Sequence, residues 1–308
     1  MARMRAFIRL LAVFAALALV AGACGNDDTA DPGTTDPETT TTDPDTTTTE
    51  TTDPETTTTE DEEVVTTAVS VYFFSGEELK VGYGREVEGL GTAAGALEEL
   101  LAGPNPDDEA LGLHTEIPEG TELLGVNIVD DVATVDLSGE FETGGGTLSM
   151  SARLAQVVYT TSQFPSVEEV FIHLDGEPVE AFGGEGILIG DGLTRADFEF
   201  GGEVYHLTPA ILVETPRPGD EVSDSIRVAG RSNTFEAALY FEIVDADGDV
   251  VVEETYAMAS SGTGTPGDFD VTIQLPDDTP DEIVLLAYEL SARDGSRINM
   301  SEVPLTVG

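Results

Sequence analysis

An α+β domain followed by an all-β sandwich, carried behind a disordered stalk, is the architecture this sequence predicts. Three observations lead there. Residues 26–63 repeat Thr, Asp, Pro and Glu with almost nothing apolar. Between Val69 and Phe182, strand-like runs mix with two helical patterns and no strict alternation of the two, which predicts a mixed sheet with helices on one face. From Ala210 onward only short strand-like runs occur, separated by turn residues.

The N-terminus has the layout of a secretory signal over residues 1–23. Arg3, Arg5 and Arg9 precede an apolar run from Leu10 to Val20, and small residues follow at Ala21, Gly22 and Ala23. The run falls short of the ~20 apolar residues a permanent span needs. Cys24, the only cysteine, stands next, and Leu19 to Cys24 resembles the bacterial lipobox. That resemblance implies cleavage before Cys24 and lipid attachment to its thiol. Two or three acyl chains hold a protein stably where one is marginal. The expected location is the extracytoplasmic face of the cell membrane.

The formal net charge is −49, and behind Cys24 nine basic side chains face 61 acidic ones, with Lys80 the sole lysine. Such a surface repels nucleic acid and anionic headgroups, so neither is an expected partner. A lone cysteine permits no internal disulfide, so stability must come from packed cores. The segment 24–63 cannot offset its own ordering entropy. As a flexible coil of about 40 residues it spans roughly 35 Å and holds the folded part off the membrane.

The first folded region is expected over 64–182. Val69 to Phe74 reads as a strand and Glu78 to Val87 as its partner through a turn at Gly76. Thr92 to Leu101 reads as a helix with Thr92 as N-cap, an apolar stripe including Leu97 and Leu100, and a stop at Gly103-Pro104. Thr121–Val129 and Val132–Leu137 form a hairpin about Asp130-Asp131. A second helix runs from Leu148 to Gln163, apolar on one face and half-buried. Val167–Leu174 and Pro178–Phe182 make another hairpin through Asp175-Gly176. Residues 183–207 read as a glycine-rich connection with a short strand at Ile187–Ile189, open to a slow proteolytic cut. A sandwich fills 208–308, with strands at Ile211–Val213, Ser225–Ala229, Ala237–Val244, Val250–Ala257, Phe269–Leu275, Glu282–Ala292 and Val303–Val307. The two regions are expected to hold independent cores.

No constellation in this chain requires catalysis. His114, His173 and His206 lack metal-ligand spacing, and no second cysteine exists to help. No nucleophile-elbow pattern is present. Asp245-Ala246-Asp247-Gly248-Asp249 departs from a calcium loop at its sixth and twelfth positions and reads as a hairpin turn. Gly144-Gly145-Gly146-Thr147 lacks the lysine of a phosphate loop and reads as a flexible entry into a capped helix. On that helix Arg153 is expected to pair with a local acid and Gln156 to satisfy a sheet edge. A ligand-binding role for Arg153, Gln156 and Tyr159 stays open at this level. The sequence thus nominates no catalytic residue, no metal ligand and no cofactor, and its one assigned site is Cys24.

Several blocks resemble the sporulation and germination GerMN domain. They are Leu124-Gly125-Val126, Ala133 to Ser138, Glu140-Phe141, Arg153 to Thr160, Gln163-Phe164 and Asp175 to Pro178, in the expected order across Val69 to Phe182. The C-terminal region resembles the immunoglobulin-like domain appended to bacterial spore-germination proteins. Pro216–Val222, Val228–Gly230, Phe235–Ala237, Ser260–Gly264, Asp294–Ser296 and Val303–Leu305 carry that likeness. Together the resemblances imply a non-catalytic lipoprotein that binds or scaffolds protein in cell-envelope or sporulation and germination assembly. The implied partner is an envelope protein or a second copy of the chain. A lipoprotein that binds a solute or peptidoglycan fragment, and an envelope hydrolase, are the alternatives.

Overall fold

The structure is a computed structural model that describes residues 66–89, 92–184 and 186–308. Cys24 and the signal and stalk segments lie outside the described residues. The fold class is the one the sequence predicts, α+β followed by an immunoglobulin-like sandwich.

The first domain opens with β1 (Thr66–Val69), β2 (Tyr72–Ser75), β3 (Glu78–Val81) and β4 (Arg85–Glu88). The expected two-strand hairpin is split. β2 pairs with β3 through the Gly76 turn, whereas β4 pairs with β1. The break falls at Gly82-Tyr83-Gly84, where Tyr83 N donates to the Asp108 carboxylate.

Helix α1 (Ala93–Ala102) follows, with the Thr92 hydroxyl accepting from Gly95 N and Gly103 closing the end at φ +85°. A short helix α2 (Pro106–Ala110), absent from the sequence reading, is held by reciprocal Asn105 and Asp108 hydrogen bonds and a proline in its first turn. Asp108 is fully buried and paired with Arg85.

Strands β5 (Leu123–Val129) and β6 (Val132–Leu137) form the predicted hairpin. Asp130 and Asp131 both adopt positive φ, at 51° and 65°, so the turn twists with its strands. Helix α3 (Thr147–Thr161) then crosses to β7 (Glu169–Leu174), which runs parallel to β6, and β8 (Glu177–Pro178) folds back on β7. The sheet order is β5-β6-β7-β8, which leaves β5 on an edge.

Helix α3 departs from expectation. Instead of burying one face, it is buried at every residue from Met150 to Thr161, a helix enclosed on all sides. Its side chains join those of β6 and β7 and also those of β2, β3 and α1 in one core.

The glycine-rich connection is likewise more than a connection. Strands β9 (Ala181–Phe182) and β10 (Ile187–Leu188) pair, Leu193 bridges to Val170, and Arg195–Phe198 forms a 3-10 turn. Ile189, Leu193, Phe198 and Leu207 are all buried in the first domain's core.

The second domain contains β11 (Ile211–Thr215), β12 (Glu221–Val222), β13 (Ser225–Ser232), β14 (Ala238–Asp245), β15 (Val250–Met258), β16 (Gly267–Gln274), β17 (Glu282–Leu290) and β18 (Arg297–Val307). One sheet orders β11-β13-β16 and the other β12-β18-β17-β14-β15. Alternate residues such as Leu239, Phe241 and Ile243 face the second core between the sheets. The last strand begins at Arg297 rather than Val303, and a register shift at Ala287/Glu289 accommodates its extra length.

Candidate functional site

Two places in the described residues concentrate functional potential: the junction of the two domains and the open edge β5.

At the junction, the Thr194–Asp197 capping box fixes the 3-10 turn that presents Arg195. The Arg195 guanidinium lies over the Tyr159 ring, 4.7 Å from its centroid, and donates to Ser162 Oγ at 2.8 Å, Tyr159 O at 3.3 Å and Glu214 Oε1 at 2.5 Å. Tyr72 donates its hydroxyl to the same Glu214 oxygen at 2.5 Å. Glu214 belongs to β11, so one carboxylate of the second domain is held by two side chains of the first.

Burial works against the Arg195 charge, yet Tyr72 and Glu214 hold its pKa above the ordinary guanidinium value. Burial, and then the Glu214 charge, push the Tyr72 hydroxyl well above the usual tyrosine value, so it stays a donor. A second bridge joins Arg231 of β13 to Glu199, and Arg231 Nη1 reaches Asp268 at 2.7 Å. Backbone joins the domains as well, through Gly84 N donating to Pro218 O at 3.1 Å. Nearby, Tyr83 packs on Gly219 so closely that a Cβ there would stand 2.5 Å from the ring, at φ +82°.

A cleft of about 440 Å³ opens beside this network, lined by Ser70, Tyr72, Gln163, Arg195, Glu214 and Asp268. Arg195 and Arg231 are both committed to carboxylates of the chain itself. The arrangement therefore fastens domain to domain and offers no unpaired guanidinium to an anionic solute. A smaller cavity of about 210 Å³ lies by Phe200 and His206. That is below the ~300 Å³ where ordinary ligand pockets begin.

The second place is β5. Among the described residues no strand pairs with its outer side. Leu124, Ile128 and Val129 stand 49%, 37% and 56% exposed, and nothing in Leu123–Val129 carries a charge. Two other long strands, β15 and β16, also lie on sheet edges. Strand β15 carries Glu253 and Glu254 and β16 carries Asp268 and Asp270, charges that discourage strand addition. Strand β15 also exposes Val250, Tyr256 and Met258, and both the β14–β15 and β5–β6 pairings shift register, so what sets β5 apart is that it carries no charged side chain.

The residues singled out from sequence fall as follows. Arg153 does not pair with an acid. It is buried and donates to the carbonyls of Phe141, Thr143 and Gly144 and to Ser149 Oγ. Burial lowers its pKa. The glycine loop curls its carbonyls toward one point, and a guanidinium satisfies them better than one carboxylate partner would. The loop is thereby tied to α3, and the helix start at Gly146 has no side-chain cap, contrary to expectation.

Gln156 does satisfy a strand: its amide donates to Tyr72 O at 2.9 Å and accepts from Glu116 N at 2.9 Å. Tyr159 lies under Arg195. His114 pairs with Phe74 in an isolated bridge, His173 lies on β7 opposite Asp136 and Pro178, and His206 meets Phe200 edge-on at 5.5 Å. Among the described residues no three His, Cys, Asp or Glu side chains converge as a metal site. The Asp245–Asp249 segment is a hairpin turn between β14 and β15, in which Asp245 Oδ1 accepts from the Asp247 and Asp249 amides.

Comparison with known families gives two matches. A family model named Germane, described as sporulation and spore germination, matches residues 30–180. A second, Gmad2, described as an immunoglobulin-like domain of bacterial spore germination, matches residues 210–296. The chain carries a Germane domain and a Gmad2 domain. Both families are described by spore germination, and the Germane family by sporulation as well.

The Germane match begins ahead of the described residues, and the Gmad2 match ends before β18, which nonetheless completes the sheet beside β17. Among solved structures, a protein from Clostridium perfringens assigned, not established, as a lipoprotein is 25% identical, with 43% of this chain and 89% of that one covered at a TM-score of 0.32. The first GerMN domain of the sporulation protein GerM from Bacillus subtilis is 22% identical, with coverages of 42% and 98% and a TM-score of 0.34. The tandem GerMN domains of that protein are 17% identical, with coverages of 70% and 63% and a TM-score of 0.36. These scores are low, and the domain identities rest on the family models. No curated protein matches the chain by sequence. No helix among the described residues is long and apolar enough to cross a membrane.

Proposed function

We propose that this protein is an extracytoplasmic lipoprotein, tethered through Cys24, whose Germane domain binds an envelope protein without turnover. The observation that carries the reading is β5, an edge strand with three exposed apolar side chains and no charge along it, whereas the other long edges, β15 and β16, carry acidic residues. Soluble proteins blunt such edges unless a partner covers them. The domain junction supports the same reading. Its ionic side chains are spent on one another, which suits a rigid presenting scaffold better than a catalytic cleft. A tether that raises local concentration near membrane targets favours a modest protein contact.

A photo-crosslinking residue at Val129 in intact cells tests the binding reading. One discrete adduct is expected there and none from the same residue at Asp247, which lies on a solvated turn. Equal labelling from both positions counts against a specific edge. Cys24→Ala tests the tether: palmitate label should vanish, and label at the wild-type level refutes lipid attachment. The purified protein should hydrolyse neither peptidoglycan nor model esters. An activity abolished by substituting His114, His173 or His206 would establish the hydrolase alternative.

A further inference from the structure

Strand β5 is uncharged along its length, apolar except at Gly125 and Asn127, and acidic at both ends. Glu122 directly precedes it, and Asp130 and Asp131 form the turn that directly follows it. Its seven residues extend about 23 Å, so the two acidic ends bracket a run that five to seven residues of another strand would span. The turn acids are exposed, and no salt bridge engages them among the described residues. No backbone hydrogen bond reaches the outer side of the strand from elsewhere in the described chain.

These charges select among occupants. A second copy pairing β5 against β5 in antiparallel fashion would set Asp130-Asp131 of each chain against Glu122 of the other. Like charges would then meet at both ends, on a chain whose net charge is already −49. The chain's own segment 24–63 is excluded on the same ground, because it is acidic and nearly devoid of apolar residues. A basic extended segment meets neither objection.

Resting on the edge-binding reading above, we infer that β5 accepts an extended segment of a partner protein with apolar side chains at alternate positions and Lys or Arg at both ends. Main-chain hydrogen bonds supply the pairing, Leu124 and Val129 supply apolar contact, and the acidic ends fix register and exclude acidic competitors.

Fluorescence anisotropy of labelled peptides against the full chain in detergent tests this. The probes share a Val-Thr-Val-Thr-Val centre and differ in their ends: Lys-Arg, Ser-Gln or Glu-Asp. A fourth has the Lys-Arg ends and a Gly-Ser centre. Binding of the first is expected, with the neutral version roughly 2- to 30-fold weaker, the range two exposed ion pairs supply. The acidic and Gly-Ser peptides should not bind.

Asp130→Asn with Asp131→Asn should weaken the basic peptide by a smaller factor, roughly 1.4- to 5-fold, because Glu122 still meets its other end, and leave the neutral one unchanged. Asparagine tolerates the positive φ at both sites, so the turn survives. Leu124→Ser with Val129→Ser should weaken both peptides about 10-fold or more, with the circular dichroism spectrum unchanged. If the neutral peptide binds as tightly as the basic one, the charge selection fails and the edge reading stands. If the Gly-Ser peptide binds equally, or the serine pair changes nothing, binding is diffuse attraction to an acidic surface and the inference is overturned. If no peptide binds, the edge reading falls too.

Discussion

Arg195→Ala should strip the domain junction of its central cation. The change deletes hydrogen bonds to Ser162 Oγ, Tyr159 O and Glu214 and the stack over Tyr159. It leaves Glu214 with the Tyr72 hydroxyl, in a position where each partner of the pair is only 20% exposed. Breaking a fully buried pair from one side costs about 3–5 kcal/mol. Solvent at one-fifth exposure recovers part of that, so about 2–4 kcal/mol is expected here. Glu214→Ala should cost about 2–3 kcal/mol, since Arg195 keeps Ser162 Oγ, Tyr159 O and, at 3.4 Å, the Tyr72 hydroxyl as acceptors. Because the two side chains act on each other, the double variant should fall short of the sum by about 1–3 kcal/mol.

Urea unfolding followed by tyrosine fluorescence and circular dichroism measures all four states, the chain having no tryptophan to complicate the signal. Singles that add within about 0.5 kcal/mol would show that Arg195 and Glu214 are not energetically coupled, and the junction would not be an ionic lock. A companion pair, Arg195→Met with Glu214→Leu, should be far milder than either alanine variant, because neither member leaves a buried charge behind.

Asp108→Ala should cost about 3–5 kcal/mol by urea melt, since a fully buried carboxylate would no longer meet Arg85, Tyr83 N and Asn105 N; a loss under 1 kcal/mol would contradict the burial. Stability should decline at alkaline pH. Tyr72 and Tyr159 have folded pKa values raised by burial, then by Glu214 and Glu199 respectively. Their contribution is complete below the unfolded tyrosine value of about 10 and is lost as pH rises above it, by up to about 1.4 kcal/mol per pH unit for each. Tyr72→Phe should flatten that decline, and an unchanged slope would dismiss Tyr72 as a source. Limited proteolysis should spare residues 183–207, whose Ile189, Leu193 and Phe198 are buried, although the sequence reads the stretch as an exposed connection; early cleavage there, mapped by mass spectrometry, would contradict that packing.

The errors of the sequence reading have physical causes. Period-2 runs and turn residues made the β5–β6 hairpin and most sandwich strands legible, because those signals are local. The Thr92 cap and Gly103 stop were legible for the same reason. Helix α3 was misjudged because Ser151, Arg153, Gln156 and Thr160 are polar yet buried, and only partners distant in the chain, such as Tyr72 O for Gln156, make that tolerable. The abundance of acids in the composition points Arg153 toward a carboxylate, whereas converging loop carbonyls are invisible until the loop is folded. The connection reads as exposed because it is rich in glycine, whereas the few apolar residues that anchor it, Ile189, Leu193 and Phe198, reveal their role only once packed. The Asn105-Pro106-Asp107-Asp108 cap of α2 is a local signal and is legible in the sequence.

The junction network could not be read at all. Tyr72, Tyr159, Arg195 and Glu214 span more than 140 positions and form no motif.

By itself the sequence determined the order of domains, their class, the acidic surface and that no disulfide forms within the chain. These follow from composition and from periodicities shorter than ten residues. Only the tertiary structure decided which helix is enclosed, which charged groups lock the domains together and which strand edge is left open. Those outcomes depend on which distant segments meet, and in a chain with 61 acidic side chains the meeting, not the residue type, determines which carboxylate has a partner.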